Sequence, residues 1–230
     1  MSCSRMAQAH KVVSITVATI LCAGLFSTPA QAATRVTNSE ELQRALDGAQ
    51  PGQTIQVAAG TYTGKFVARN NGNSGAPITL VGDHRDSVSL RTGGTAKGSG
   101  TALTIEGDWW VVNGITFKDS SKGVVLNGSN RTVLDWIRVT NIGDEGVHFL
   151  NCSSNNVLKA SEITNTGKGQ PGFGEGAYVG SSSDKWDTLG CQGGQDQSNN
   201  NEIVQNYFAD TAAEGIDRKE GTYGGRVHDN

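Results

Sequence analysis

Near its C-terminal end the chain reads Glu214-Gly215-Ile216-Asp217-Arg218-Lys219, placing a lysine two residues after one acid and five after another. In an extended segment alternate side chains share a face, so Asp217 and Lys219 point the same way. An amine so placed is a candidate general base for removing a proton beside a carboxylate. That task needs a lysine whose pKa has been brought down by partial desolvation or by a nearby cation. Glu214 and Asp217 act the other way and raise it unless a cation neutralises them. The base role of Lys219 and a metal site beside it are therefore expected together; the plainer alternative is a solvated lysine on an outer face.

The same phrase, a charged residue followed by glycine and alternating apolar positions, occurs three more times. It reads Lys122-Gly123-Val124-Val125-Leu126-Asn127, Glu145-Gly146-Val147-His148-Phe149-Leu150 and Glu175-Gly176-Ala177-Tyr178-Val179-Gly180. Aligned on glycine, the first and third following positions form inward apolar columns, Val124, Val147, Ala177, Ile216 and Leu126, Phe149, Val179, Arg218. The second position forms an outward column, Val125, His148, Tyr178, Asp217. The residue before glycine is Lys122, Glu145, Glu175 or Glu214. Stacked strands lie about 4.8 Å apart, so three glutamates in one column repel unless a cation or a base sits among them. Calcium takes carboxylate and carbonyl oxygens, which makes Glu145, Glu175 and Glu214, with Asp144 and Asp217, the candidate metal ligands. Solvated acids at turn corners are the alternative. His148, Tyr178 and Arg218 are the candidate ligand contacts, although the parity of Arg218 puts it in an inward column, where a bare guanidinium is costly.

These residues need a scaffold that repeats. The phrase glycines are 23, 30 and 39 residues apart, and a self-similar unit of that size marks a solenoid. Between the phrases lie further strand signals at Trp110–Phe117, Val133–Val139, Val157–Ile163 and Ile203–Phe208. Turns rich in Asn, Ser and Gly separate them, residue types that accept left-handed backbone. The pattern predicts an all-β fold, a right-handed parallel β-helix of about 23 residues per coil. Only 36% of the residues are hydrophobic, a composition that stacked coils can still turn into one continuous core. Ser39–Leu46 reads as a short capping helix ended near Gly48. At the other end Gly225–Asn230 begins a coil and stops, so residues 33–230 are expected to be the N-terminal part of a single β-helix domain that is C-terminally incomplete. Inserts at Gly167–Gly174 and Ser181–Ser198 lengthen two repeats, and long inserts on a rigid scaffold commonly wall a binding cleft.

Arg5 and Lys11, the apolar run Val12–Phe26 and the small-residue stretch ending at Ala32 predict a secretory signal peptide over residues 1–32. Its removal leaves 17 basic against 22 acidic residues, a net charge of −5, which disfavours nucleic acid as a partner. The expectation is a secreted, extracellular monomer with no membrane segment after cleavage. Two cysteines remain, Cys152 and Cys191. Export makes a disulfide between them the default, with free thiols or an incomplete metal pair as alternatives.

Two stretches carry a family resemblance. Ser39–Tyr62 is similar to the N-terminal cap and first strand of secreted β-helical polysaccharide lyases of the pectate lyase and chondroitinase B/alginate lyase kinds. Glu214–Lys219 resembles the strand in which those enzymes set an acidic calcium-side residue five positions before a catalytic lysine. The resemblance implies calcium-assisted β-elimination on an acidic, uronate-containing polysaccharide. Lys219 would remove the C5 proton, and Glu214 would lie beside the metal. Ala212 stands where the chondroitinase-like pattern has a second acid, and Arg218 where it has an apolar residue. A non-catalytic carbohydrate-binding or surface protein, or a β-helical glycoside hydrolase with paired carboxylates, is the alternative.

Overall fold

The structure is a computed structural model that describes residues 33–230. The signal-peptide expectation falls on residues 1–32 and lies outside the described residues. No helix among the described residues is long and apolar enough to cross a membrane.

Three parallel sheets of eight, six and six strands run side by side along the molecule. The first carries Thr34–Val36 at one edge and Arg226–His228 at the other; the second runs from Gly60–Thr63 to Tyr207–Ala209; the third runs from Phe66–Ala68 to Ile216–Arg218. Each coil contributes one strand to each sheet, which is the architecture of a right-handed parallel β-helix. All four phrases fall in the third sheet with the register expected from their glycines: Val124 pairs with Val147, Val147 with Ala177 and Ala177 with Ile216. The inward positions Val124, Leu126, Val147, Phe149 and Ala177 are fully buried in a single core that also holds Trp110, Phe117 and Tyr62.

Three of the four phrase glycines, Gly123, Gly146 and Gly176, are required by proximity, and none of the four has a positive φ. A methyl group on Gly123 would lie 2.4 Å from the Gly146 carbonyl oxygen, one on Gly146 2.6 Å from that of Gly176, and one on Gly176 2.5 Å from that of Gly215. Each coil thus rests its carbonyl where the previous coil has no side chain.

The linking segments differ from their sequence reading. Each apparent single strand is two strands in different sheets. Trp110–Phe117 divides into Trp110–Asn113 and Thr116–Ser120, and Val133–Val139 into Val133–Asp135 and Arg138–Ile142. Val157–Ile163 and Ile203–Phe208 divide the same way, with corners near Gly114, Trp136, Ala160 and Gln205, all at positive φ. One left-handed residue turns the chain while the inward–outward alternation resumes on the far side, so the corner leaves little trace in hydropathy. Other corners follow the expected chemistry. Asn155 and Asn200 are left-handed, and Ser129, Ser153 and Ser198 form a buried ladder in which each backbone N–H donates to the next hydroxyl at 3.1 Å.

The cap is the helix Ser39–Asp47. The Asn38 side chain accepts from the Glu41 N–H at 2.9 Å, and the Glu41 carboxylate accepts from the Thr37 N–H at 2.8 Å. This reciprocal capping satisfies donors that would otherwise be orphaned, worth about 1 kcal/mol. Leu42 and Leu46 close the N-terminal end of the core.

Candidate active site

Along the outer face of the third sheet the outward column of the phrases becomes the floor of a groove parallel to the helix axis. Thr104, Val125, His148 and Tyr178 follow one another along it coil by coil, and Asp217 takes the next position of the column. Val125 and His148 are only 7% and 4% exposed although they face away from the core. The groove has a volume of about 930 Å³; Gln170 and Phe173 belong to one wall and Ser182, Lys185 and Leu189 to the other.

The structure divides the five candidate metal ligands. Glu175, Glu214 and Asp217 present carboxylate oxygens within 4.8 Å of one another. Asp144 and Glu145 are engaged elsewhere. Asp144 accepts from the Ser121 hydroxyl and the Gln170 amide, both at 2.8 Å. Glu145 forms an ion pair with Lys122 and lies 3.6 Å from His148 Nδ1. Lys122 occupies the same pre-glycine column one coil earlier, so it takes up the neighbouring carboxylate. Its position was visible in the sequence as the basic member of an otherwise acidic column. Within the remaining trio, Glu175 is 5% exposed and its Oε2 has no hydrogen-bond partner. Burial pushes its carboxyl pKa up, and the negative charges of Glu145, Asp217 and Glu214 add to the shift.

Lys219 follows the last phrase strand, its amine 2.7 Å from Asp217 Oδ2 and 5.3 Å from the centre of the Tyr178 ring. The hydrogen bond to Asp217 raises its pKa, against the lowering effect of its partial burial. Tyr178 is pushed up to about 12, chiefly by burial, so its phenol keeps its proton at neutral pH. His148 stands edge-on to Tyr178 at 4.6 Å, with Nε2 3.0 Å from the Gly180 carbonyl oxygen. Burial lowers its pKa, and the imidazole is neutral at neutral pH.

Arg218 is a correction. It pairs with Val179 in the inward column, and its guanidinium lies against Gly225, beside a small cavity lined by Ile203, Tyr223 and Val227. It is absent from the groove lining that contains Lys219. The strand keeps its register, and Arg218 is exposed on the face opposite Asp217 and Tyr178.

Cys152 and Cys191 are joined, with Cα atoms 5.4 Å apart. The bond fastens the larger insert to the coil before it. The fully buried Asp196 works at the same junction, its carboxylate accepting from the Asn151 and Cys152 N–H groups at 3.0 Å. Nothing in the spacing of the sequence singled out Asp196.

Residues 27–184 match the family model described as "Pel9A-like, right handed beta helix region". The chain belongs to that family. Within the Pel9A-like β-helices it is similar to pectate lyase L of Paenibacillus polymyxa (strain SC2), 32% identical over 98 residues that cover 40% of this chain and 22% of that protein. It superposes on the crystal structure of an alginate lyase from Paenibacillus sp. str. FPU-7 with a TM-score of 0.79 and 37% identity, covering 85% of this chain and 64% of the other. The pectate lyase Pel9A matches with a TM-score of 0.60 at 18% identity over 76% of this chain and 43% of that one, a likeness of fold. The chain therefore spans less than two thirds of each of these proteins.

Proposed function

We propose that this Pel9A-like protein is a polysaccharide lyase that cleaves a uronate-containing polymer by β-elimination, with Lys219 as the base. The observation that carries the reading is an amine and a protonated phenol together in one long groove, beside a cluster of three carboxylates of which Glu175 lines the groove. Its similarity to a pectate lyase and an alginate lyase supports the same class.

In the proposed reaction Lys219 takes the C5 proton of a uronate. The electron pair forms the C4–C5 double bond, and the bond to the C4 oxygen breaks. Tyr178 donates its proton to that departing oxygen; its high pKa keeps the proton in place until then. His148 supports the edge of the Tyr178 ring and leaves the phenol facing the groove.

A calcium ion fits the donor set on two grounds. Glu175 Oε2 is buried without a partner, and Glu175, Glu214 and Asp217 converge with three negative charges. All are oxygen donors, the hard ligands calcium prefers. Calcium held there would supply the positive charge that neutralises a substrate carboxylate and acidifies the adjacent proton. Glu175, Glu214 and Asp217 are its holders in this reading, and drawing Asp217 away from Lys219 would lower the pKa of the amine.

A secreted, monomeric enzyme is part of the proposal. Secretion is supported by the basic and then apolar leader in the sequence and by the Cys152–Cys191 bond, a feature of oxidising compartments.

The test is incubation of the full chain with pectate, alginate and glycosaminoglycans, with calcium or a chelator. Growth of near-ultraviolet absorbance from an unsaturated uronate, lost in Lys219→Ala, is the expected result. Reducing ends without that absorbance would establish a hydrolase, and polymer binding without product a carbohydrate-binding protein. Activity that survives chelation would keep Lys219 and Tyr178 as the reacting pair and assign the acid trio to fixing Lys219.

A further inference from the structure

The wall of the groove on the Phe173 side is built from two segments far apart in sequence. The first, residues 92–100, connects Val88–Arg91 of the second sheet to Thr101–Ile105 of the third. Its root is fixed: the Thr92 N–H donates to Ser120 Oγ at 2.9 Å, and the Gly100 carbonyl accepts from the Ser121 N–H at 3.0 Å. Between these ties the segment runs along the helix axis instead of turning directly into the next strand. The Thr95 carbonyl settles over glycines two and three coils further on. A methyl group on Gly143 would lie 1.9 Å from that oxygen, and one on Gly169 2.3 Å from it. Gly169 belongs to the second segment, the 167–174 insert, so arm and insert meet as one continuous wall.

Two features of that wall lack an internal explanation. Four lysines line the groove. Lys122, Lys185 and Lys219 are each paired with a carboxylate, from Glu145, Asp184 and Asp217 respectively. Lys97, near the tip of the arm, is exposed and has no ion-pair partner among the described residues. Phe173, on the insert, is 56% exposed at the groove rim. An unpaired cation and a bare aromatic face on one wall suit a ring that is apolar on its flat side and carries a carboxylate at its edge.

We propose that Lys97 and Phe173 form a rim subsite for a uronate unit of the bound polymer, away from the unit that reacts at Lys219. Phe173 packs against the sugar ring and Lys97 takes the carboxylate. This rests on the polyuronate reading of the groove and extends it to how the chain is gripped. The paired lysines are already neutralised, and the acid trio repels an anionic polymer without a cation, so Lys97 supplies attraction from the wall of the groove. Such a residue adds to binding equally in the ground and transition states.

Steady-state kinetics of Lys97→Ala, Phe173→Ala and Lys97→Arg test this, together with affinity electrophoresis of the same proteins through gels containing alginate or pectate. Lys97→Ala and Phe173→Ala should each raise KM about three- to tenfold with kcat within about twofold of wild type. Lys97→Arg should restore KM, and the rise of KM with salt should be shallower in Lys97→Ala than in wild type. Unchanged KM and gel mobility in an active enzyme would overturn the subsite and leave the lyase intact. A wild-type protein that forms no unsaturated product, yet is retarded by a polyuronate gel in a Lys97-dependent manner, would keep the subsite and remove the lyase. Wild type that neither cleaves nor binds any polyuronate would overturn both.

Discussion

The amine of Lys219 and the carboxylate of Asp217 stand 2.7 Å apart on the same face of the last phrase strand, so the candidate base is held protonated by its own neighbour. Asp217→Asn removes the interaction that most raises the Lys219 pKa. A base works deprotonated, so lowering its pKa moves the rising limb of the pH–rate profile to lower pH. Measured kcat/KM against pH should show that acid shift even where maximal activity falls. A limb that stays in place would remove Lys219 as the titrating base.

Glu175 gives a second pH dependence of opposite origin. Its pKa is raised in the folded chain above the ordinary 4.5, so in the window just above that value the folded state holds a proton the unfolded state has lost. Stability without calcium is then greatest below the ordinary carboxyl pKa and falls as pH rises through the raised one. Glu175→Gln should abolish this decline and raise the calcium-free Tm at neutral pH by about 2–4 °C. Added calcium should raise the Tm of wild type and leave that of Glu175→Gln nearly unchanged. Equal calcium shifts in the two proteins would place the ion elsewhere.

The bond between Cys152 and Cys191 holds the insert that carries Lys185 and Leu189 over the groove. Cys191→Ser should cost about 2–4 kcal/mol of stability. It should also raise KM more than it lowers kcat, since Tyr178 and Lys219 lie on the coils and not on the insert. Calorimetry and steady-state rates with and without reductant check both effects.

The glycine column offers a test confined to the scaffold. Gly146→Ala brings a methyl group within 2.6 Å of the Gly176 carbonyl oxygen and 2.7 Å of Ile163 Cγ2. Overpacking of this kind costs about 1–3 kcal/mol. Denaturant unfolding should show that loss, whereas an alanine at the solvent-exposed Gly172, where nothing lies within 4 Å, should cost far less.

The solenoid was legible in the chain because its rules are local. Inward and outward faces alternate within a few residues, and a glycine recurs wherever one coil must rest on the next. That was enough to align Val125, His148, Tyr178 and Asp217 into one column. The capping helix, read as Ser39–Leu46 and found at Ser39–Asp47, was legible for the same reason, since its buried leucines and the glycine that ends it lie within one short segment.

What only the tertiary structure decided depends on reach between coils. Lys122 takes Glu145 out of the acid cluster because the two adjoin in space across 23 residues. The Thr92–Gly100 arm crosses to Gly143 and Gly169 because backbone can lie where those residues have no side chain. His148 is buried, though its parity faces outward, because Glu145 and, from the next coil, Tyr178 and the Gly180 carbonyl close around it. Alternation along a strand assigns a side chain to a face; which partner it meets there is set by chain that arrives from elsewhere.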